Sequence, residues 1–166
     1  VDAITTSKVP EVMYRIGRPI TDLKMMMESG ADEYGYDKVL YHQIMPGDDH
    51  YTEFSYGQVR SDVRSLGTAL MGLGLKGAHI GVIGSNCYEW AESYFAITGG
   101  VGVVIPLDKE LSPEELANLV DMGDIKAVIC CQDKYYEIFK KIKSDRHNGL
   151  NIVIGVNKES HEDRRH

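Results

Sequence analysis

Several places in the sequence hold side chains or backbone capable of chemistry. Asp108, Lys109 and Glu110 directly follow an apolar run, Val101 to Leu107. Lys134 and Tyr135 follow a second run, Ala127 to Cys131. If both runs are parallel strands, these groups lie at the C-terminal edge of a sheet, where α/β proteins commonly hold ligands. Such a run is usually just a solvated loop, and the ligand-facing reading is the less favoured of the two. Gly81 and Gly84 precede Ser85 and Asn86 at a helix start, where backbone N–H groups can hold phosphate. The spacing, G-V-I-G-S-N, matches neither G-x-G-x-x-G nor G-x-x-x-x-G-K-[ST]. A plain strand-to-helix turn is the reading it favours.

The remaining reactive side chains give no constellation. Cys87, at the first turn of a helix, could have a lowered pKa, but no base is positioned beside it. There is no G-x-S-x-G elbow for a serine nucleophile. His42, His50, His79, His147, His161 and His166 have no metal-ligand spacing. The expectation is no catalytic residue and no metal ligand in this chain. Cys130 and Cys131 are adjacent and would face opposite ways on a strand, so a bridge between them is not expected. With three cysteines and no C-x-x-C, a reducing, cytoplasmic setting is expected.

Hydrophobic periodicity supplies the elements that would position these groups. Ile20, Leu23, Met26 and Met27 fall at helical spacing, with Thr21 or Asp22 at the start and Gly30 as the stop. Lys38 to Met45 and Tyr51 to Ser55 read as a hairpin around Pro46-Gly47-Asp48-Asp49, added at an edge of the main sheet. Ser55 and Gln58 form a capping-box pattern ahead of Val59, Val63, Leu66, Leu70 and Leu73, one apolar stripe. His79 to Gly84 is the first core strand. Asn86, with Glu89, caps a helix whose buried side is Trp90, Ala91, Tyr94, Phe95 and Ile97. Gly99, Gly100 and Gly102 read as a helix exit and a close packing contact.

Val101 to Leu107 is the second core strand. Ser112-Pro113-Glu114-Glu115 starts a helix with Leu116, Leu119 and Val120 inward. Ala127 to Cys131 is the third strand, Asp133 opens a helix carrying Tyr136, Phe139 and Ile142, and Asn151 to Val156 is the fourth strand. Lys140, Lys141 and Lys143 suit that helix's C-terminal end. Apolar strands separated by helices imply an α/β fold: a three-layer, doubly wound, mostly parallel sheet with an N-terminal antiparallel hairpin. The organisation expected is an arm and short helix over 1–37, an α/β unit over 38–156 and a polar tail over 157–166.

The chain has 166 residues, of which 43% are hydrophobic and 26% charged. A chain of this length buries roughly 70% of its unfolded surface and needs no metal or disulfide staple. The net charge of -7 argues against nucleic acid as a partner, since phosphate neutralisation needs a basic surplus. No stretch of eighteen apolar residues spans a membrane, and no signal-peptide pattern is present. The first residue is Val1, which suggests that part of a native N-terminus is missing or replaced.

Three segments together carry a family resemblance: Y-T-E-F-S-Y-G-Q-V-R-S-D-V-R-S-L-G-T-A-L (Tyr51 to Leu70), G-L-K-G-A-H-I-G-V-I-G-S-N-C-Y-E-W (Gly74 to Trp90) and G-G-V-G-V-V-I-P-L-D-K-E-L-S-P-E-E-L (Gly99 to Leu116). In order and spacing they resemble the opening part of the adenylate-forming (AMP-binding) superfamily. Asn-x-x-Glu-Trp and Pro-Leu-Asp look most like its long-chain fatty-acid CoA ligase branch. The resemblance runs from about Tyr14 to Val156. It implies an N-terminal fragment of an enzyme that joins a carboxylate to AMP and then to CoA, requiring ATP, Mg²⁺ and CoA when complete. The family's Ser/Thr/Gly phosphate loop, adenine and ribose motifs and lid lysine follow this segment in family order. The resemblance therefore places no catalytic residue here, and the isolated chain is expected to be inactive.

In some relatives the loops after the second and third core strands lie near the CoA path. By position that assigns Leu107, Asp108, Lys109 and Lys134 to the CoA side. The implied partners are the remainder of the enzyme, with fatty acid and CoA in the full protein. A homodimer through exposed apolar surface is also expected. The full enzyme would be cytoplasmic or peripheral to a membrane. Two other readings stay open: a free-standing binding or regulatory module on the same scaffold, and an unrelated doubly wound domain holding a small ligand at the sheet edge.

Overall fold

In the computed structural model, which describes residues 19–44, 49–145 and 149–156, the chain opens with a helix, α1 (Leu23–Tyr34). Asp22 caps it, its Oδ1 accepting from the Met25 N–H at 2.7 Å. The helix runs through Gly30 instead of stopping there, because Gly30 and Ala31 are its buried residues. Small side chains sit there where the helix presses on its neighbour. The strands β1 (Val39–Gln43) and β2 (Thr52–Ser55) pair antiparallel. The turn at 45–48 lies outside the described residues, as do residues 1–18 and the tail 157–166. This hairpin is a separate two-stranded sheet and not an edge of the larger one. The reason lies in its packing: its one fully buried side chain, Phe54, joins Val59 and Tyr88 on helices.

Ser55 caps α2 (Tyr56–Gly72), its hydroxyl accepting from the Gln58 N–H at 3.2 Å. Val59 and Leu70 are fully buried. Leu73 is 52% exposed, so the apolar stripe ends a turn earlier than its spacing suggests, since Leu73 already lies past the helix. Arg60 and Arg64 of α2 hold α1 in place. Arg64 grips the Glu28 carboxylate through both oxygens, Nε donating to Oε1 at 2.8 Å. Arg60 donates to the Glu28 carbonyl at 3.0 Å and to Asp32 at 3.1 Å, and its guanidinium lies 4.4 Å from the centre of the Tyr36 ring.

The parallel sheet follows as β3 (His79–Ile83), α3 (Tyr88–Ala96), a π-helical turn (Ile97–Val101), β4 (Val103–Leu107), α4 (Pro113–Met122), β5 (Ile125–Cys130), α5 (Asp133–Asp145) and β6 (Ile152–Gly155). Its strand order is β4-β3-β5-β6, parallel throughout. Side chains alternate between two cores, as strand geometry requires. Ile83, Val128 and Cys130 meet Leu116, Val120, Phe139 and Ile142 of α4 and α5. Ile80, Val82, Ala127 and Ile129 meet Leu70, Ile97 and Val101 on the other face. This is the three-layer, doubly wound arrangement with its antiparallel hairpin.

Two helices sit differently from their periodicity. Cys87, not Asn86, is the N-cap of α3, and the buried residues are Tyr88, Ser93 and Ala96. Trp90 and Tyr94 stack on each other at 5.5 Å and stay partly exposed. Tyr88 explains the rotation: it stacks on Phe54 at 3.8 Å, and its hydroxyl donates to Asp62 at 2.9 Å. On α5 the inward residues are Tyr135, Phe139 and Ile142. Tyr136 is only half-buried, beside Gly155. The α4 start carries the full capping box expected of Ser112 and Glu115.

The turn before β4 needs its glycines. Gly100 has φ 125, a region closed to most side chains. A Cβ on Gly102 would lie 2.2 Å from the Ala78 carbonyl oxygen, which the Val103 N–H needs at 2.9 Å. Gly102→Ala is therefore expected to cost about 3 kcal/mol or more by urea unfolding. Gly72→Ala, where nothing lies within 4 Å at a helix end, should gain about 0.5–1 kcal/mol. An equal response to both would remove the close-approach argument.

The Arg64 hydrogen bond holds the Glu28 carboxyl below its ordinary value of 4.5. That pair stabilises the fold fully above this pH and loses its contribution as the pH falls through the lowered value. Urea midpoints measured from neutral to acid pH should fall less steeply in Glu28→Gln than in the parent chain. Superimposable profiles would show the pair to be neutral.

Candidate functional site

The strand order reverses direction between β3 and β5, so the sheet's natural ligand crevice lies outside their C-terminal ends. Gly84 and Ser85 leave β3 there, and Cys131 and Gln132 leave β5. The crevice is filled by the chain itself. The Cys131 N–H donates to the Ile83 carbonyl at 2.9 Å, and the Ser85 N–H donates to Gln132 Oε1 at 3.0 Å. A Cβ on Gly84 would lie 2.6 Å from Cys131 Cβ. At the start of α3, the Tyr88 N–H donates to Gln43 Oε1 at 2.5 Å. Two amides near this helix start thus already have carbonyl acceptors, and the glycine serves close packing. These residues do not fit nucleotide phosphates. Nor do they fit Mg²⁺: no group of three His, Cys, Asp or Glu side chains that could hold a metal occurs among the described residues.

The charged groups named from the sequence lie at the same edge, around Tyr135. Leu107 is buried in the α4–α5 core. Asp108 closes a turn, its carboxylate accepting from the Glu110 N–H at 2.9 Å. Lys109 lies 3.8 Å from Glu110. The Tyr135 ring is only 3% exposed, its hydroxyl donates to the Lys109 carbonyl at 3.3 Å, and Lys134 Nζ lies 4.6 Å from its centre. The structure therefore brings the Lys109 loop and Lys134, in the first turn of α5, to one corner, with both ammonium groups on the surface side. The Asp108, Glu110 and Asp133 carboxylates share this corner with the two ammonium groups, and it contains no nucleophile–base pair.

Of the two residues that build this edge, sequence reasoning names Tyr135 and misses Gln132. Gln132 latches Ser85 by a contact across the sheet, which no local pattern marks. Tyr135 reads from sequence as a ligand-facing candidate, whereas in the structure it is buried on α5 and supports the Lys109 loop. His79 faces the Gly123 carbonyl at 2.6 Å, and His42 pairs with Glu53 at 3.1 Å. His147, His161 and His166 lie outside the described residues.

The profile of the AMP-binding enzymes matches residues 27–165. Crotonobetaine/carnitine–CoA ligase of Salmonella typhimurium is 20% identical over 139 residues, 83% of this chain and 26% of that protein. The chain thus spans about a quarter of the length of such curated relatives. Among solved structures, an anthranilate CoA ligase in complex with anthranoyl-AMP superposes with a TM-score of 0.69 at 19% identity, covering 81% of this chain and 25% of that one. The Mycobacterium tuberculosis fatty acyl CoA synthetase gives 0.67 at 17% identity, covering 87% and 28%. These likenesses establish the fold.

Removing the Tyr135 hydroxyl isolates the support of the corner. Tyr135→Phe should lose about 0.5–1.5 kcal/mol of stability and speed amide exchange at Glu110 and Leu111. Unchanged exchange there would show that the hydroxyl does not hold the loop.

Proposed function

The chain belongs to the AMP-binding enzyme family, and from that premise we propose that it is the N-terminal α/β portion of an ATP-dependent long-chain fatty-acid CoA ligase. The whole enzyme would form an acyl-adenylate and pyrophosphate, and the CoA thiol would then displace AMP. The observation that carries this reading is the family match across residues 27–165, on a parallel sheet shared with CoA ligases. The long-chain assignment rests on Asn86-x-x-Glu89-Trp90 and Pro106-Leu107-Asp108. This portion contributes scaffold. ATP and Mg²⁺ belong to the remainder of the enzyme, because the loop after β3 has no free cradle for them, and no step of nucleotide chemistry falls to residues described here.

Leu107, Asp108, Lys109 and Lys134 are proposed to border the CoA path. Two exposed ammonium groups on a corner fixed by Tyr135 would attract the anionic part of CoA and steer its approach. The three free thiols support a cytoplasmic setting. No helix among the described residues is long and apolar enough to cross a membrane; peripheral membrane association of the whole enzyme is part of the same proposal. The remainder of the enzyme is the proposed partner of the exposed apolar side chains, with self-association of the separated chain as the alternative.

Given long-chain fatty acid and ATP, the chain alone should show no pyrophosphate exchange above buffer. Exchange above buffer would overturn the scaffold role. In the whole enzyme, reversing both charges (Lys109→Glu with Lys134→Glu) should raise KM for CoA about tenfold, on the order of 1.4 kcal/mol, with adenylate formation unchanged. An unaltered KM would remove the corner from the CoA path.

A further inference from the structure

Cys87 and Cys131 are far apart in sequence and adjacent in space. Cys87 is the N-cap of α3, reached from the end of β3. Cys131 directly follows β5, the neighbour of β3, and its N–H is fixed to the Ile83 carbonyl. The two thiols lie close enough for each to shift the other's titration. Cys131 sits against the Gly84 backbone, a Cβ at that glycine falling 3.3 Å from its Sγ. Both cysteines are half-buried and all three in the chain are free. Cys130 is excluded from the pair by strand alternation. It points into the α4–α5 core at 1% exposure, whereas Cys131 packs with the opposite core. With no third ligand grouped beside them among the described residues, the pair has the makings of a dithiol and not of a metal site.

We propose that Cys87 and Cys131 form a modification site at the sheet's crossover point, closing into an intramolecular disulfide when a peroxide supplies the oxidising equivalents. Cys87 is the attacking sulfur. As thiolate it takes one oxygen of hydrogen peroxide, the O–O bond breaks, and the released hydroxide leaves as water with the Cys87 proton. Cys131 then attacks the sulfenic sulfur of Cys87. The S–O bond breaks, the S–S bond forms, and hydroxide leaves as a second water with the Cys131 proton. Two thiols lose two electrons and two protons, and one peroxide becomes two waters. The order of attack follows from the thiols' effect on each other, which lowers the Cys87 pKa and, together with burial, raises that of Cys131. Burial alone pushes Cys130 up to about 12, leaving it unreactive.

Treating the chain with one equivalent of hydrogen peroxide should reduce its Ellman-titratable thiols from the three that are free to one. Non-reducing peptide mapping should join the Cys87 peptide to the one that holds Cys130 and Cys131. Because those two share a tryptic peptide, Cys130→Ala assigns the link and should retain it. Cys131→Ser should abolish the link and leave Cys87 as a sulfenic acid that dimedone traps. Three outcomes would overturn the proposal: a link that survives Cys131→Ser, thiol loss confined to disulfide-linked dimers, or three unreacted thiols. The parent-chain thiol count and fragment spectra decide the matter even if a variant fails to fold.

Discussion

Parallel pairing on both sides of β3 is the constraint on which the rest of the molecule depends. Parallel neighbours cannot be joined by a tight turn, so each pairing with β4 and β5 demands a crossover. Those crossovers are α3 with its π-turn and α4, and they bury the sheet on both faces. A strand covered on both faces has no polar side, so His79 to Ile83 reads as a run without alternation. The same constraint sends successive crossovers in opposite directions from β3. It thereby creates a crevice at the C-terminal ends, which Gly84, Ser85, Cys131 and Gln132 then occupy.

The N-terminal part is attached to this body at two points of different character. Tyr88 is a packed aromatic with its hydroxyl bonded to Asp62, so it joins hairpin, α2 and α3 at once. Arg60 and Arg64 attach α1 to α2 by charge-assisted hydrogen bonds that include a backbone carbonyl. The aromatic contact removes apolar area from water and is insensitive to salt. The arginine contacts lie largely at the surface, where ion pairs are individually weak and their geometry sets orientation more than energy.

Much of the fold was legible because strand type and helix caps are local signals. Ser112-Pro113-Glu114-Glu115 specifies its helix start within four residues, and the structure has the whole capping box. The four apolar runs became the four parallel strands within a residue or two. What failed was the facing of helices whose orientation is set from outside. Trp90 packs against the core and Ile97 is fully buried, as their spacing suggests, but Tyr88 takes a fully buried place on this helix that the spacing does not mark, and Tyr94 stays partly exposed. Gly30 looks like a stop, and only the neighbouring helix shows it to be a contact. At the sheet edge the charged residues were visible as a list, but Gln132 and Tyr135 act through partners distant in sequence, which spacing does not encode.

Tyr88 also has a consequence for how the chain is made. Its contacts reach Gln43, 45 residues earlier, and Asp62, 26 residues earlier. Synthesis proceeds from the N-terminus, so the hairpin and α2 leave the ribosome before the side chain that covers Phe54 exists. Over that interval the nascent chain presents a bare aromatic next to two unpaired strand edges, a surface suited to chaperones and to misassociation. Slowed translation ahead of Tyr88 prolongs that exposure, whereas the same pause after β4 finds the aromatic already covered.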